Sequence, residues 1–440
     1  MSFPKYPKYK DSGIHWLGDL PEHWTLSRTK NLFSLMKRIP EENDDIVTAF
    51  RDGEVTLRNN RRADGFTNAI HEHGYQRILK GDLVIHAMDA FAGAIGVSDS
   101  NGKSTPVYSV CTPKKSSVNS YYYARLMRHM ALSGFINSLS KGIRERSTEF
   151  RWNEAANVVL AHPPADEQDL IVDFIDREAE KIDELIAEQQ RLIDLLKEKR
   201  QAVISHAVTK GLNPNASMKP SGVEWLADLP EHWNVTRLKF ATSRIVDCPH
   251  DTPTYSDDGE FHVIRTSDLN DGELFSTQMQ RVDQAEYLLR IRREPLLKND
   301  IVYSREGGRW GHAAIVDSGD RYCLGQRMMQ FRVNQNFDPR YLMWQLNTKN
   351  VYRQGEVDTV GAASPHVNVG TICNYRIAKP PLSEQRRIVD ALDFELEHFR
   401  TLTTEAQRGI ELLQERRAAL ISAAVTGKID VRGLVEAEAA

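Results

Sequence analysis

The sequence repeats itself, and this duplication limits the possible folds more than any other feature. SGIHWLGDLPEHW begins at Ser12 and SGVEWLADLPEHW begins at Ser221, an offset of 221 − 12 = 209 residues. PPADEQ at Pro163 returns as PPLSEQ at Pro380, an offset of 380 − 163 = 217 residues. The matching segments lie at the edges of each half, and most residues between them differ. The duplication predicts two equivalent half-proteins related by a pseudo-twofold axis, with one framework and two diverged surfaces.

A long helix is predicted after each PP pair. Asp166 to Ser205 contains no glycine or proline and carries apolar residues in a heptad rhythm, which returns between Glu384 and Ser422. At 1.5 Å per residue the first helix would be roughly 60 Å long. Each narrow apolar stripe needs a partner. We predict that the two helices pair antiparallel; the alternative is that each pairs with a helix of another protein. The residues predicted to pack the helix pair are Ile171, Ile175, Ile182, Leu192, Leu196, Ile388, Leu392, Phe399 and Leu413.

The segments outside the helices have mixed α/β character. Short β-rich runs such as DLVIHAM and DIVYSRE are accompanied by helical patterns such as YYYARLMRHMALSGF. The predicted fold class is α+β, with two mixed α/β domains joined by two long antiparallel coiled-coil helices and an internal pseudo-twofold repeat. The predicted boundaries are residues 1–162 and 213–379 for the domains, 163–212 and 380–430 for the helices, and 431–440 for a flexible tail.

The charge distribution says more than the net charge of −4. Asp166 to Glu198 holds 12 acidic and 4 basic residues, a local charge of −8, so the rest of the chain carries −4 − (−8) = +4. The basic clusters of that remainder either contact nucleic acid or are solvated faces. No apolar run approaches the ~20 residues that a membrane span needs. The four cysteines form no CxxC pair, so we predict a reduced, cytoplasmic protein without structural zinc.

The sequence shows no catalytic motif. GVSDSNGKST resembles a phosphate loop, but Gly96 and Gly102 enclose five residues instead of four, so we predict a turn. No adenine-methylation tetrad, metal motif or nucleophile elbow occurs. We assign the duplicated PEHW histidines, His23 and His232, to packing. Two unlike domains on a rigid spacer suit duplex DNA, where they would address the same face if spaced by ~34–36 Å or a multiple.

These segments resemble the specificity (S) subunit of type I restriction–modification systems. The resemblance lies in YKDSGIHWLGDLPEHW, in PPADEQ and PPLSEQ at the helix starts, and in KRQAVISHAVTKG and RRAALISAAVTGK at the helix ends. KGDLVIHAMDAFAGAIGVSD and KNDIVYSREGGRWGHAAIVDSG are similar to the glycine-turn segments of that family's target recognition domains. One departure is Asn299, which replaces the glycine found at Gly81; we expect it to change the loop conformation.

The resemblance implies a subunit with no catalytic activity and no cofactor of its own. Each recognition domain would read one half of a bipartite, asymmetric site in double-stranded DNA, and the helices would set the spacer. Two methyltransferase (modification) subunits would dock on the helices and bring S-adenosylmethionine. Two restriction/translocase subunits would bring ATP and Mg. The alternatives are a coiled-coil scaffold that does not bind DNA and a DNA-modifying enzyme with an unrecognised site.

Candidate DNA-contacting residues are loop donors, because arginine pairs with guanine, asparagine pairs with adenine, and both also bind phosphates. In the first domain they are Arg58, Arg61, Arg62, Lys141, Arg144 and Arg146. In the second they are Arg244, Arg305, Arg309, His366 and Asn368.

Overall fold

The computed structural model describes residues 3–61, 73–139, 149–226, 228–270, 272–275, 279–319, 321–357 and 366–434. The chain forms two compact units. Unit 1 contains Met1–Gln189 and Arg408–Ala440, and unit 2 contains Gln190–Gln407. Each long helix is therefore divided between the units, whereas the predicted boundaries treat the helices as separate segments. The candidate residues Arg62, Lys141, Arg144 and Arg146 lie outside the described residues.

Unit 1 is built on a four-stranded antiparallel sheet in the order β4-β11-β8-β9. Its strands are β1 (Tyr9–Asp11), β2 (Asp19–Pro21), β3 (Thr25–Arg28), β4 (Phe33–Met36), β5 (Val47–Ala49), β6 (Val55–Leu57), β7 (Gln76–Ile78), β8 (Leu83–His86), β9 (Ile95–Val97), β10 (Gly102–Ser104), β11 (Tyr108–Pro113) and β12 (Val159–His162). Its helices are α1 (Thr29–Leu32), α2 (Ser120–Leu132), α3 (Phe135–Leu139), α4 (Trp152–Ala155) and the first part of α5 (Ala165–Lys210). Helix α2 packs its buried face on the sheet.

Unit 2 repeats this sheet in the order β16-β24-β21-β22. Its strands are β13 (Met218–Pro220), β14 (Asp228–Pro230), β15 (Asn234–Arg237), β16 (Thr242–Asp247), β17 (Phe261–Ile264), β18 (Leu269–Asn270), β19 (Glu273–Leu274), β20 (Gln280–Val282), β21 (Ile301–Ser304), β22 (Ala313–Ile315), β23 (Tyr322–Leu324), β24 (Met328–Val333) and β25 (Arg376–Lys379). Its helices are α6 (Leu238–Ala241), α7 (Gln284–Arg290), α8 (Pro339–Leu346), α9 (Lys349–Glu356), α10 (Val369–Cys373) and the first part of α11 (Leu382–Val425), together with the end of α5.

The two long helices pair antiparallel within each unit. In unit 1, Ile171 and Ile175 at the start of α5 share a hydrophobic core with Leu420 and Val425 at the end of α11. In unit 2, the end of α5 shares a core with the start of α11. The duplicated sheets and these antiparallel pairs confirm the predicted fold class.

The seam of the helix pair lies one residue away from part of the predicted stripe. Ile171, Ile175, Ile182, Leu196, Ile388, Leu392 and Phe399 are buried and Leu413 is half-buried. Leu192, however, is 43% exposed, and its neighbour Ile193 is buried instead. From Ile182 the 4-3 spacing of a heptad continues through Ile186 and Ile193, and each residue turns the helix by about 100°. Leu192 therefore lies beside the seam, and its assignment to the packing set is wrong.

A glutamate, buried in unit 1 and half-buried in unit 2, anchors the PEHW segment of each unit to the first turn of a long helix. Glu167 accepts hydrogen bonds from Trp24 Nε1 at 3.0 Å, His23 Nε2 at 2.7 Å and the Tyr6 hydroxyl. In unit 2, Glu384 accepts from Trp233 Nε1 at 3.1 Å and His232 Nε2 at 2.8 Å. Both tryptophans are fully buried. The PEHW histidines therefore have a structural role, as hydrogen-bond partners of these glutamates at the domain surface.

The glutamine that follows each glutamate holds the helix on the sheet. Gln168 Oε1 accepts from the backbone N–H of Asn119, the N-cap of α2, at 2.9 Å. Gln385 Oε1 accepts from the backbone N–H of Asp338, the N-cap of α8, at 2.8 Å. The duplicated EQ pair thus fixes both the domain edge and the domain helix relative to the long helix.

The chain beyond α11 is packed as far as residue 434. Val431 is fully buried, and the guanidinium of Arg432 lies 4.9 Å from the Tyr6 ring centroid. Arg177 donates to the Leu434 carbonyl at 3.0 Å. The prediction of a flexible tail from residue 431 is therefore wrong for 431–434, because this segment completes the unit 1 core; residues 435–440 lie outside the described residues.

Candidate nucleic-acid interface

A buried aspartate fixes the turn that leads into the central strand of each sheet. Asp82 precedes β8 and is bound by the guanidinium of Arg38, with one contact at 3.1 Å. Asp300 precedes β21 and is bound by Arg332 at 2.8 Å. These ion pairs hold the start of each strand, so the opposite end carries the glycine-rich loop in a fixed direction.

Asn299 retains the turn that Gly81 forms in the first half. Its φ is 71° and that of Gly81 is 92°, and both lie in the left-handed region. The backbone N–H of each donates to the carbonyl of the residue that follows the adjacent strand, Val316 at 2.9 Å and Ser98 at 2.8 Å. The expectation that Asn299 changes the loop conformation is wrong, because asparagine tolerates the left-handed region better than most residues.

In unit 1 the end of β8 opens into a polar cleft of about 650 Å³. The side chains that line it include Arg51, Arg58, Arg61, His86 and Tyr108. Two of the predicted residues, Arg58 and Arg61, therefore lie together at one site. Guanidinium groups in a cleft can reach phosphates and base edges together.

Arg61 is held on one side of this cleft. Its guanidinium lies 4.3 Å from the Phe50 ring centroid and pairs with Asp52 at 2.6 Å and Glu54 at 3.2 Å. These pairs are exposed, so each contributes less than about 1 kcal/mol. A phosphate can displace such carboxylates at low cost.

His86 and Tyr108 add neutral hydrogen-bonding groups to the same cleft. Burial lowers the pKa of His86, so its imidazole is neutral at pH 7. Its Nδ1 accepts from the backbone N–H of Asp89 at 3.0 Å, which leaves the proton on Nε2 as a donor. Burial raises the pKa of Tyr108 to about 12, so its hydroxyl stays protonated. The cleft thus presents cations and neutral donors together.

In unit 2 the residue after β21 is Arg305, and its side chain is only 8% exposed. Its Nε lies 3.0 Å from Asp247 Oδ1, and its Nη2 also pairs with Glu306. Its Nη1 donates to the Val367 carbonyl at 3.3 Å. This arrangement does not support a base contact by Arg305, because its guanidinium is occupied inside the protein. The side chain instead joins three segments of the surface.

The other predicted residues of unit 2 surround this ion-pair cluster or the sheet edge. Arg309 is exposed on the glycine-rich loop and donates to the Leu269 carbonyl at 2.8 Å. His366 is half-buried and bridges to Glu306 through the backbone. Asn368 is exposed, and its side chain makes no cap hydrogen bond to α10. Arg244 is exposed on β16, with its Nε 3.7 Å from Glu294.

Sequence reasoning missed Arg51, His86 and Arg327. Arg51 and His86 line the unit 1 cleft, and Arg327 lies on the turn before β24, beside Arg305. His86 lies in the run DLVIHAM, which predicts a strand just before the glycine-rich loop, so its position beside that loop could have been predicted from the pattern. Arg51 and Arg327 carry no sequence signal of their own.

Within the described ranges, no group of three or more His, Cys, Asp or Glu side chains is arranged to hold a metal ion. A search of those ranges also finds no helix that is both long and apolar enough to cross a membrane.

Comparison with known proteins identifies one family of relatives. Residues 230–412 match the family described as type I restriction modification DNA specificity domain. The MjaVIII specificity subunit of Methanocaldococcus jannaschii is 22% identical over 68% of this chain and 68% of its own length. The EcoKI specificity subunit of Escherichia coli K12 is 18% identical over 95% of this chain and 92% of its own length. The chain is similar to type I restriction–modification specificity subunits along nearly its whole length.

Solved structures agree with the fold described above. A chain solved in a study of complex assembly and conformational transition of the type I R-M system covers 92% of it, with a TM-score of 0.66 and 15% identity. The HsdS subunit of Thermoanaerobacter tengcongensis covers 93% of it, with a TM-score of 0.51 and 17% identity. At these identities the likeness establishes the fold.

The resemblance inferred from the duplicated motifs is thereby confirmed. The curated relatives are named specificity subunits of type I restriction enzymes, which agrees with the prediction of a non-catalytic subunit.

Proposed function

We propose that this chain is the non-catalytic DNA-recognition component of a type I restriction–modification complex. Each unit reads one half of a bipartite, asymmetric site in double-stranded DNA, and the paired helices set the spacer between the halves. S-adenosylmethionine, ATP and Mg are carried by the modification and restriction/translocase subunits, two of each.

This proposal rests on one observation: the two units share a scaffold, but different side chains surround the equivalent strand end in each. The end of β8 and the end of β21 occupy equivalent places in the duplicated sheets. In unit 1 this place carries Arg51, Arg58 and His86 around a cleft. In unit 2 it carries Arg309 and Arg327 around the Arg305 cluster. A repeated position with unlike donors suits two unlike half-sites, since each base pair presents its own pattern in the major groove.

We expect methylome sequencing of cells that express this chain with its methyltransferase to show one bipartite motif, methylated on adenine in both halves. Deleting the chain should abolish that motif. Arg58→Ala and Arg309→Ala should alter opposite halves, because the two residues lie in different units. A motif that survives the deletion would contradict the proposal. An assembled complex with no motif would favour the scaffold alternative.

The exposed leucines of the long helices are suited to docking other subunits. Leu185 and Leu195 on α5 recur as Leu402 and Leu412 on α11, each at an offset of 217. Their exposed fractions lie between 38% for Leu402 and 56% for Leu412. Large apolar side chains outside a packing seam are typical of interaction surfaces. Their repetition suits two copies of one partner, and we assign them to the modification subunits.

Leu195→Glu and Leu412→Glu should each weaken association with the methyltransferase subunit by roughly tenfold or more, because each buries a charge in an apolar contact. Titration of the subunit against each variant measures the effect. Gln190→Glu and Gln407→Glu are matched controls, since both positions are exposed and also recur at 217. They should leave the affinity unchanged. Equal losses in controls and leucine variants would refute the assignment and indicate a general charge effect.

A further inference from the structure

Arg327 has a backbone conformation that arginine rarely adopts. It lies in the turn between β23 and β24 with a φ of 76°. Within the described residues, it and Asn299 are the non-glycine residues at positive φ. Asparagine tolerates this region, but an arginine there is strained, and such strain is concentrated at functional sites. Glycine would form the same turn without strain, so the arginine side chain needs an explanation.

The turn is held from several directions. The Arg327 carbonyl accepts from the backbone N–H of Arg305 at 3.1 Å, and Gly325 N–H donates to the Ile264 carbonyl at 2.8 Å. Between them, Gln326 accepts from the Thr252 hydroxyl at 3.2 Å and donates to the His250 carbonyl at 3.3 Å. The ion-pair cluster of Arg305 with Asp247 and Glu306 therefore supports the turn, and we call this cluster the Arg305 platform. A side chain on such a platform is positioned in advance of binding.

The Arg327 side chain is exposed and lies along the glycine-rich loop. A Cβ added to Gly307, whose φ is 85°, would lie 3.4 Å from Arg327 Nη1. Arg305 and Arg332 of the same unit are each held by two carboxylates. In the part of the chain that the structure describes, Arg327 is paired with no carboxylate. Its guanidinium is available to a ligand.

The equivalent turn of unit 1 reaches the candidate cleft. Strands β10 and β11 correspond to β23 and β24 at an offset of 220, so the turn at Thr105–Val107 corresponds to Gly325–Arg327. Thr105 lines the unit 1 cleft together with Arg58 and His86. The duplication therefore places Arg327 at the same side of its sheet as the unit 1 candidates.

We propose that Arg327 reads a guanine in the half-site bound by unit 2. This assignment rests on the proposed function and names the base type and the side chain. A guanidinium can donate two parallel hydrogen bonds to guanine O6 and N7 in the major groove. The strained turn directs this side chain away from the Arg305 platform.

The test is Arg327→Gly in the full chain, assembled with its methyltransferase. Glycine keeps the left-handed turn and removes the side chain, so the melting temperature should be unchanged or higher. Methylome sequencing should show the wild-type motif relaxed at one G·C pair in one half-site. Competition binding should show a preference for that guanine of roughly 10- to 100-fold in the wild type and none in the variant. Arg327→Asn, which also tolerates the turn, should behave in the same way.

Asn299→Gly is the matched control, because it relieves the other positive-φ residue of unit 2 and should leave the motif intact. An unchanged motif in Arg327→Gly would overturn the assignment while the wild-type motif still supports the proposed function. Uniformly weaker binding to all sites would also overturn it and show a phosphate contact. If the wild type gives no motif, the proposed function itself fails.

Discussion

Arg305→Ala should destabilise unit 2 by about 3 kcal/mol, instead of changing the recognition of one base pair. Asp247 and Glu306 are about 19% and 21% exposed, and both face this guanidinium. Removing the cation leaves two largely buried carboxylates beside one another, without a counter-charge. The Val367 carbonyl also loses a hydrogen-bond donor. Because Arg305 joins separate segments, the loss should disorder the surface around it.

Urea unfolding of the full chain measures the free energy, and hydrogen exchange of peptides covering residues 304–311 and 366–373 locates the change. Arg309→Ala is the control. Arg309 lies on the same loop but is exposed and contacts a backbone carbonyl, so its removal should change stability by less than about 0.5 kcal/mol. If Arg305→Ala is as stable as the wild type and relaxes a single base pair, the structural role assigned here is wrong.

The sequence predicts the shared framework well because each repeated segment makes the same structural contacts in both halves. PEHW and the EQ pair recur because Trp24 donates a hydrogen bond to Glu167 and Trp233 donates the equivalent one to Glu384. The order of elements and the pairing of the helices follow from the duplication.

The helix seam and the flexible tail could be predicted only in part. Periodicity alone cannot decide between Leu192 and Ile193, because adjacent apolar residues both fit a seven-residue spacing and differ by one helical step. The packing of Val431 and Arg432 depends on contacts with an N-terminal segment more than four hundred residues away in sequence. Local composition does not predict such long-range contacts.

The candidate site was the least predictable part. An arginine in a loop shows its charge in the sequence but not its partner. Asp247 lies 305 − 247 = 58 residues from Arg305, and only the folded sheet brings them together. For Arg327 the decisive feature is its positive φ angle, which cannot be predicted from the amino-acid composition. The positive φ of Asn299 could have been predicted from the duplication, because Gly81 occupies the equivalent position.

Glu167→Gln should cost about 2–3 kcal/mol of stability, and the equivalent Glu384→Gln should cost less than about 1 kcal/mol. Both oxygens of Glu167 are occupied, Oε1 by Tyr6 and Trp24, and Oε2 by His23. A glutamine must therefore turn its amide N–H₂ toward one of these donors. The amide then either opposes the buried donors of Tyr6 and Trp24 or requires the His23 tautomer whose Nε2 accepts, and in both cases the charge-assisted hydrogen bonds of the carboxylate are lost.

Glu384 differs because His232 and Trp233 both donate to Oε2. Within the described residues no donor reaches Oε1, so glutamine can place its oxygen toward both partners and its amide at the free position. Thermal and urea unfolding of the two variants, with Trp24→Phe and Trp233→Phe to remove each indole N–H, measures the difference. Equal costs for the two glutamine variants would contradict the hydrogen-bond assignment. A larger cost for Glu167→Gln would show that donors on both carboxylate oxygens make the first copy of this duplicated anchor less tolerant of substitution than the second.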